Sequence, residues 1–190
     1  MQLDIWKGKY KEGDKVYKVI NTPLVREAVE GLNCGDRVYI NGYIYTARDA
    51  AHKKMTELLA QGKELPIKLE DSIIYYVGAT PAKPGQVIGS AGPTTSGRMD
   101  AYAPSLLDLG LRGMIGKGQR NESVIKSMVK NKAVYFAAIG GAGALIAKSI
   151  KSAKVVAYEE LGTEAIMELQ VENFPAIVAI DCRGNSIYSR

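Results

Sequence analysis

Histidine and cysteine are nearly missing from this chain, with one and two among 190 residues. Each scarcity removes a class of chemistry. Cys34 and Cys182 match no metal-ligand spacing and build no disulfide scaffold. With His52 as the only imidazole, no nucleophile–base–orienter set stands out. No apolar run approaches membrane-spanning length. The first seven residues, Met1 to Lys7, lack the basic segment and apolar block of a secretory signal. These absences lead us to expect a cytoplasmic protein with reduced thiols and no membrane partner. Internal repeats and low-complexity linkers are also missing. That leaves one domain over residues 21–190, preceded by a polar arm over residues 1–20.

What is present suits a globular fold. Hydrophobic residues make up 46% of the chain, enough to bury a core. The net charge is +5, which raises nucleic acid as a partner. The lysines are spread thinly, however, and the aromatics are mostly tyrosines inside strand-like runs. No basic-aromatic module emerges, so nucleic acid is not expected. An anionic metabolite or an acidic partner subunit fits the same balance.

Along the chain, Leu3–Ile5 and Val16–Ile20 read as short strands. Thr22-Pro23 reads as a helix start with Pro at the first helical position, followed by an apolar face of Leu24, Val25, Ala28, Val29 and Leu32. Arg37 to Thr46 is a strand pair or one long strand bent at Asn41-Gly42. Ala47 to Gln61 is helical, with Arg48 and His52 on one face, and a lone His there reads as a surface or capping residue. Ser72 to Ala79 is a dense apolar strand, and residues 80–85 form a loop. Val87-Ile88 reads as a strand end, and Met99 to Leu109 has helical spacing. Leu111 to Gly116 is a short strand, Asn121 to Lys130 a helix and Ala133 to Ile139 a buried strand. Lys154 to Tyr158 is a strand, Glu164 to Leu169 a short helix, Phe174 to Asp181 a buried strand and Ser186 to Tyr188 a last strand-like piece. The second half alternates strand and helix and favours a mostly parallel sheet, while the first half looks more antiparallel. The expectation is an α/β domain containing two sheets.

Three small-residue turns fall at strand ends, where open α/β sheets place ligands. The longest, Gly89 to Asp100, offers backbone N–H groups, the hydroxyls of Thr94, Thr95 and Ser96, and the cation of Arg98. The second is Gly116-Lys117-Gly118. The third, Gly140-Gly141-Ala142-Gly143, matches half of a dinucleotide fingerprint, but its third glycine is missing, and close strand-to-helix packing is the plainer reading. If these ends converge, Arg48, Arg98 and Lys117 surround a group of threonine hydroxyls. Three cations in one place repel, and a dianion relieves them, since each carboxylate can accept a bidentate Arg. The alternative is three unrelated surface charges, and a helix N-terminus with redundant caps.

The run from Tyr75-Tyr76-Val77-Gly78 through Gly89-Ser90-Ala91-Gly92-Pro93-Thr94-Thr95-Ser96-Gly97-Arg98-Met99-Asp100 resembles the β region of class I iron–sulfur fumarate hydratases and of L-tartrate dehydratases. The likeness extends to Thr46-Ala47-Arg48-Asp49-Ala50-Ala51-His52-Lys53, Ile115-Gly116-Lys117-Gly118, Gly140-Gly141-Ala142 and Phe174-Pro175-Ala176, and covers about residues 20 to 190. The resemblance implies a swivelling β/β/α three-layer domain with a mostly parallel central sheet and a second antiparallel sheet. It implies a hydro-lyase adding water reversibly to fumarate to give L-malate, or the corresponding reaction of tartrate. It implies Thr94 as catalytic base, with Arg48, Thr95, Arg98 and Lys117 binding substrate. It also implies a [4Fe–4S] cluster held by three cysteines of an α subunit, which two cysteines here could not replace, and a heterotetramer with a β–β contact.

Overall fold

Alternation along the central strands divides the core in two. Ile73 and Tyr75 face one side, and Ile74 and Tyr76 the other. Ile115 and Met114 divide in the same way, as do Phe136 and Tyr135. The structure is a computed structural model that describes residues 9–12, 15–80, 82, 84–138 and 143–189. Among these residues the strands are β1 (Lys9–Glu12), β2 (Lys15–Asn21), β3 (Arg37–Thr46), β4 (Ile73–Tyr75), β5 (Gly113–Gly116), β6 (Val134–Ala138), β7 (Ile150–Ala157) and β8 (Ile166–Ile180). The helices are α1 (Arg26–Glu30), α2 (Asp49–Ala60), α3 (Ala103–Leu107), α4 (Glu122–Asn131) and α5 (Gly143–Ser149).

The chain folds as α/β around a mixed sheet in the order β1-β2-β3-β4-β5-β6-β8-β7. β2 to β6 run parallel to their neighbours, with β1 antiparallel at the edge. β8 runs antiparallel to β6 and β7 and also pairs back onto β3 over most of its length. β3, β4, β5, β6 and β8 therefore form a closed hydrogen-bonded circuit, which shields their edges. One network replaces the two separate sheets expected. The parallel part lies mid-chain, and the antiparallel character comes largely from β7 and β8 in the second half, the reverse of the sequence expectation.

Inside the circuit lie Ile40, Ile44, Tyr75, Val134, Phe136, Leu169 and Phe174, with α1 and α5 contributing Val29 and Ile146. On the opposite face α2, α3 and α4 bury Met55, Leu106, Leu107, Val124 and Met128 against Ile74, Met114 and Tyr135. Asn121 starts α4 as read, its side chain accepting the Val124 N–H at 2.9 Å.

Several local expectations fail for identifiable reasons. α1 begins at Arg26 rather than Pro23, because Thr22 N–H donates to Asn41 O at 2.9 Å and Leu24 N–H to Asp71 O at 2.7 Å, tying residues 22–24 to the sheet. The Arg37–Thr46 segment is one strand, bulged between Ile40 and Gly42, where Gly42 has φ +107° and a side chain would strike Thr22. Val87-Ile88 ends no strand. Residues 84–90 are irregular, and Gly89 N–H donates to Thr80 O and Thr80 N–H to Ser90 O, both at 3.1 Å. The segment read as a helix from Met99 splits into a 3-10 turn at Ser96–Met99 and the short α3. Glu164 to Leu169 is not helical. A 3-10 turn covers Glu159–Glu164, and the residues that follow pair with β7 from Ile166 and with β3 from Glu168, an instance of tertiary pairing overriding propensity. The strand read at Lys154 begins at Ile150, and the one read at Phe174 is the end of β8. Ser186 forms only an isolated bridge to Ile180. Leu3–Ile5 and the Gly140-Gly141 turn lie outside the described residues.

Candidate active site

The parallel strands deliver the predicted residues to one end of the sheet. Arg48 follows β3 directly and caps α2 in an extended conformation. Thr94 and Thr95 lie on an extended segment laced between the ends of β4 and β5. Thr94 N–H donates to Tyr76 O at 2.7 Å, Lys117 N–H to Thr94 O at 3.3 Å and Ser96 N–H to Lys117 O at 2.9 Å. Backbone hydrogen bonds thus join the threonine turn and the lysine turn as neighbours. Glycines make this approach possible, since a Cβ on Gly116 would collide with the Ser96 side chain and one on Gly78 with the Arg48 guanidinium.

Arg48 and Arg98 meet through Asp49. Arg98 Nε donates to Asp49 Oδ1 at 2.9 Å, and Arg48 Nη2 stands 3.9 Å from Asp49 Oδ2. Glu164 comes from the turn before β8 and places Oε1 3.3 Å from Arg48 Nε. These two carboxylates offset the cation repulsion anticipated from sequence. Asp49 had a signal, being adjacent to Arg48 in the first helical turn. Glu164 had none, because only the tertiary fold brings it near. Arg98 and Lys117 remain solvent-facing, with about half of the Arg98 side chain exposed.

Of the three hydroxyls in a row, one is structural. Ser96 is fully buried, with Oγ 2.9 Å from Tyr135 Oη. Tyr135 Oη in turn donates to Gly118 O at 2.9 Å, so one phenol supports both cation-bearing turns. The remaining hydroxyls, Thr94 and Thr95, are half-buried and exposed. The four-residue 3-10 turn that follows is too short to contribute much dipole, so the charge at this end comes from side chains. A cavity of about 590 Å³ lined by Thr80, Gln86, Ile88, Ser90, Ala147 and Lys148 touches the glycine loop but none of the five site residues. Charge and hydroxyls, rather than volume, mark the site.

His52 corrects the sequence reading. It is neither a surface nor a capping residue. It is wholly buried one turn into α2, with Nδ1 2.8 Å from Arg48 O. Burial, reinforced by the Arg120 charge, depresses its pKa to about 4 against the opposing pull of the Arg48 carbonyl. Arg120 is buried as well. Its Nε donates to Asp100 Oδ1 at 2.6 Å, and its guanidinium lies over the rings of Tyr76 and Tyr135.

The thiols lie elsewhere. Cys34 Sγ contacts Ala179 O at 3.7 Å and Cys182 Sγ contacts Val29 O at 3.9 Å, and burial pushes the Cys34 pKa up. No group of three or more His, Cys, Asp or Glu side chains is arranged to hold a metal among the described residues. The donor set of this chain does not fit a [4Fe–4S] cluster. Among the same residues no helix is long and apolar enough to cross a membrane.

Fold and site define an α/β domain with arginine, lysine and threonine side chains gathered at the ends of its parallel strands. The chain belongs to the Fumarase C-terminus family, whose model matches residues 2–190. It is 44% identical to "Putative L(+)-tartrate dehydratase subunit beta" of Methanocaldococcus jannaschii over 171 residues, 87% of this chain and 88% of that protein. It is 40% identical to the anaerobic class I fumarate hydratase of Escherichia coli K12 over 184 residues, 94% of this chain and 33% of that protein. It is 39% identical to fumarate hydratase 2 of Leishmania major over 168 residues, 87% of this chain and 30% of that protein. The chain spans about a third of the length of these fumarate hydratases.

Proposed function

We propose that this chain is the β part of a two-part hydro-lyase that interconverts fumarate and L-malate, working with an α partner at a shared site. The observation that carries the reading is the meeting of Arg48, Arg98, Lys117, Thr94 and Thr95 at one end of the parallel strands, in a family that includes class I fumarate hydratases. A four-carbon dicarboxylate carries two negative charges. Arg48 and Arg98 suit one carboxylate through charge-assisted hydrogen bonds, and Lys117 suits the other. Asp49 and Glu164 hold the guanidinium groups in place until substrate carboxylates compete for them.

In the malate-to-fumarate direction a proton leaves the carbon beside a carboxylate while the hydroxyl departs from the next carbon. Thr94 Oγ1 is assigned as the proton acceptor. Nearby cations stabilise the negative charge that develops on that carboxylate and favour the ionised threonine. The general acid and the iron–sulfur cluster belong to the α partner in this reading. The β/β/α swivelling description, the cytoplasmic location and the heterotetramer with a β–β contact are part of the same proposal.

A second reading rests on the tartrate dehydratase relative, which this chain matches along most of its length. The test is an absorbance assay of fumarate against L-tartrate by the chain assembled with its α partner after anaerobic cluster reconstitution. Fumarate turnover well above tartrate turnover supports the first reading, and the reverse ratio supports the second. A Thr94→Val variant with near-normal turnover removes the base assignment. Dicarboxylate bound by this chain with no turnover in any assembly would make it a binding module.

A further inference from the structure

Six buried polar atoms have no hydrogen-bond partner among the described residues: Arg48 Nε and Asp49 Oδ2 in the site, Tyr158 Oη, and a neighbouring set of His52 Nε2, Tyr76 Oη and Arg120 Nη2. The side chains of His52, Tyr76 and Arg120 are each at least nine-tenths buried, and they adjoin one another. The His52 and Tyr76 rings meet edge to face with centroids 5.3 Å apart, and Arg120 Cζ lies 5.3 Å from the Tyr76 centroid. The guanidinium stands close enough to favour ionisation of the Tyr76 hydroxyl, through its charge and as a near hydrogen-bond donor, against a stronger effect of burial, while the angles and distances leave Tyr76 Oη and Arg120 Nη2 each without a formed hydrogen bond. Leaving such groups unmatched costs free energy that native cores avoid.

Their chemistry is complementary. Arg48 O can only accept, so His52 Nδ1 carries the proton in the bond between them. In the neutral ring Nε2 is then a lone-pair acceptor. Tyr76 Oη can donate or accept, and Arg120 Nη2 can only donate. One water accepting from Arg120 and donating to His52 Nε2, with Tyr76 as its third partner, matches all three.

The three atoms also come from three different pieces of the site. His52 lies one turn after Arg48 on α2. The Tyr76 carbonyl holds Thr94, and Gly78, two residues on, packs against the Arg48 side chain. Arg120 ends the turn that begins at Lys117. We infer that His52 Nε2, Tyr76 Oη and Arg120 Nη2 share one buried water, and that through it they act as positioning residues joining the segments that carry Arg48, Thr94 and Lys117. The kinetic consequence rests on the proposed function, while the hydration site itself does not.

The single histidine makes the test clean. Selective ¹⁵N-histidine labelling of the full chain gives one imidazole. The expected spectrum shows a neutral ring protonated at Nδ1, with an Nε2 shift displaced toward that of a hydrogen-bonded imine nitrogen. Tyr76→Phe keeps the ring and removes the hydroxyl, and it should move the Nε2 signal toward the unbonded value. His52→Asn keeps a donor for Arg48 O but lacks Nε2. In the assembly with the α partner both variants should raise the KM for fumarate about tenfold with little change in kcat, the size of one lost hydrogen bond. The double variant should cost no more than either single one. A ring protonated at Nε2, or an Nε2 signal indifferent to Tyr76→Phe, overturns the inference whatever the activity. The ring signature without fumarate turnover supports the buried site and counts against the functional reading alone.

Discussion

On the inner side of the strand circuit Ile40, Val134, Phe136 and Phe174 pack almost entirely against other apolar side chains. On the helix side His52, Ser96, Asp100 and Arg120 are buried among Tyr76, Met114 and Tyr135. The polar groups of the inner core among the described residues sit at its margin, as the Tyr75 hydroxyl does in bonding Ala91 O and the Cys182 thiol in contacting Val29 O. Apolar packing is non-directional and tolerates exchange at constant volume. A buried polar network permits few arrangements, because each donor must find its acceptor. The directional core lies beneath the turns bearing Thr94, Arg98 and Lys117, where groups must be held in register. The permissive core lies where only a frame is needed.

The sharpest way to break this contrast is at the buried ion pair. Asp100→Leu leaves Arg120 charged and unmatched and should cost about 3–5 kcal/mol, read from the denaturant midpoint. Asp100→Leu combined with Arg120→Met should regain much of that stability while leaving the site turns poorly held. A double variant with unimpaired turnover would argue that the network serves stability alone.

Acid tests the same side of the sheet through His52. The unfolded ring takes up a proton near pH 6.5, the folded ring only near pH 4. The unfolded state therefore binds more protons between these values. The contribution is complete above pH 6.5 and is lost as pH falls toward 4, by roughly 3 kcal/mol from the difference in pKa. Denaturation at pH 7 and pH 4.5 should show a steeper decline for the wild-type chain than for His52→Asn. Equal declines would mean that the ring is not buried neutral.

Smaller effects sharpen the comparison. Tyr135→Phe removes the phenol shared by Ser96 and Gly118 O, at a cost of about 1–2 kcal/mol, and should weaken substrate binding as well. Ile40→Val, in the apolar core, should cost about 1 kcal/mol by denaturation and leave substrate binding unchanged. A kinetic effect of Ile40→Val equal to that of Tyr135→Phe would erase the distinction.

Legibility in sequence divides along similar lines. The Arg37–Thr46 strand and the helices after Arg48 and Asn121 follow local periodicity and caps, and they could be read directly. The first half of β8, residues 166–173, could not, although its end was read as a strand from Phe174. β8 is set by its pairing with β3 and β7, partners distant in sequence or joined by an ambiguous turn. Thr94, Thr95, Arg98 and Lys117 drew notice because they lie on small-residue turns at strand ends, and Arg48 because it follows a strand, while the roles given to them came from the family resemblance. Their counter-carboxylate Glu164, and the burial of His52 and Arg120, depend on which helix face meets the sheet. A charged residue near a helix end gives no local sign of being inside.

The measurement that tests the account most directly is fumarate turnover by this chain alone, by its α partner alone and by the two assembled anaerobically, with Arg98→Ala as the paired variant. Turnover is expected only in the assembly and should collapse in Arg98→Ala. Turnover by either chain alone, or an Arg98→Ala assembly as active as the wild type, would contradict that expectation.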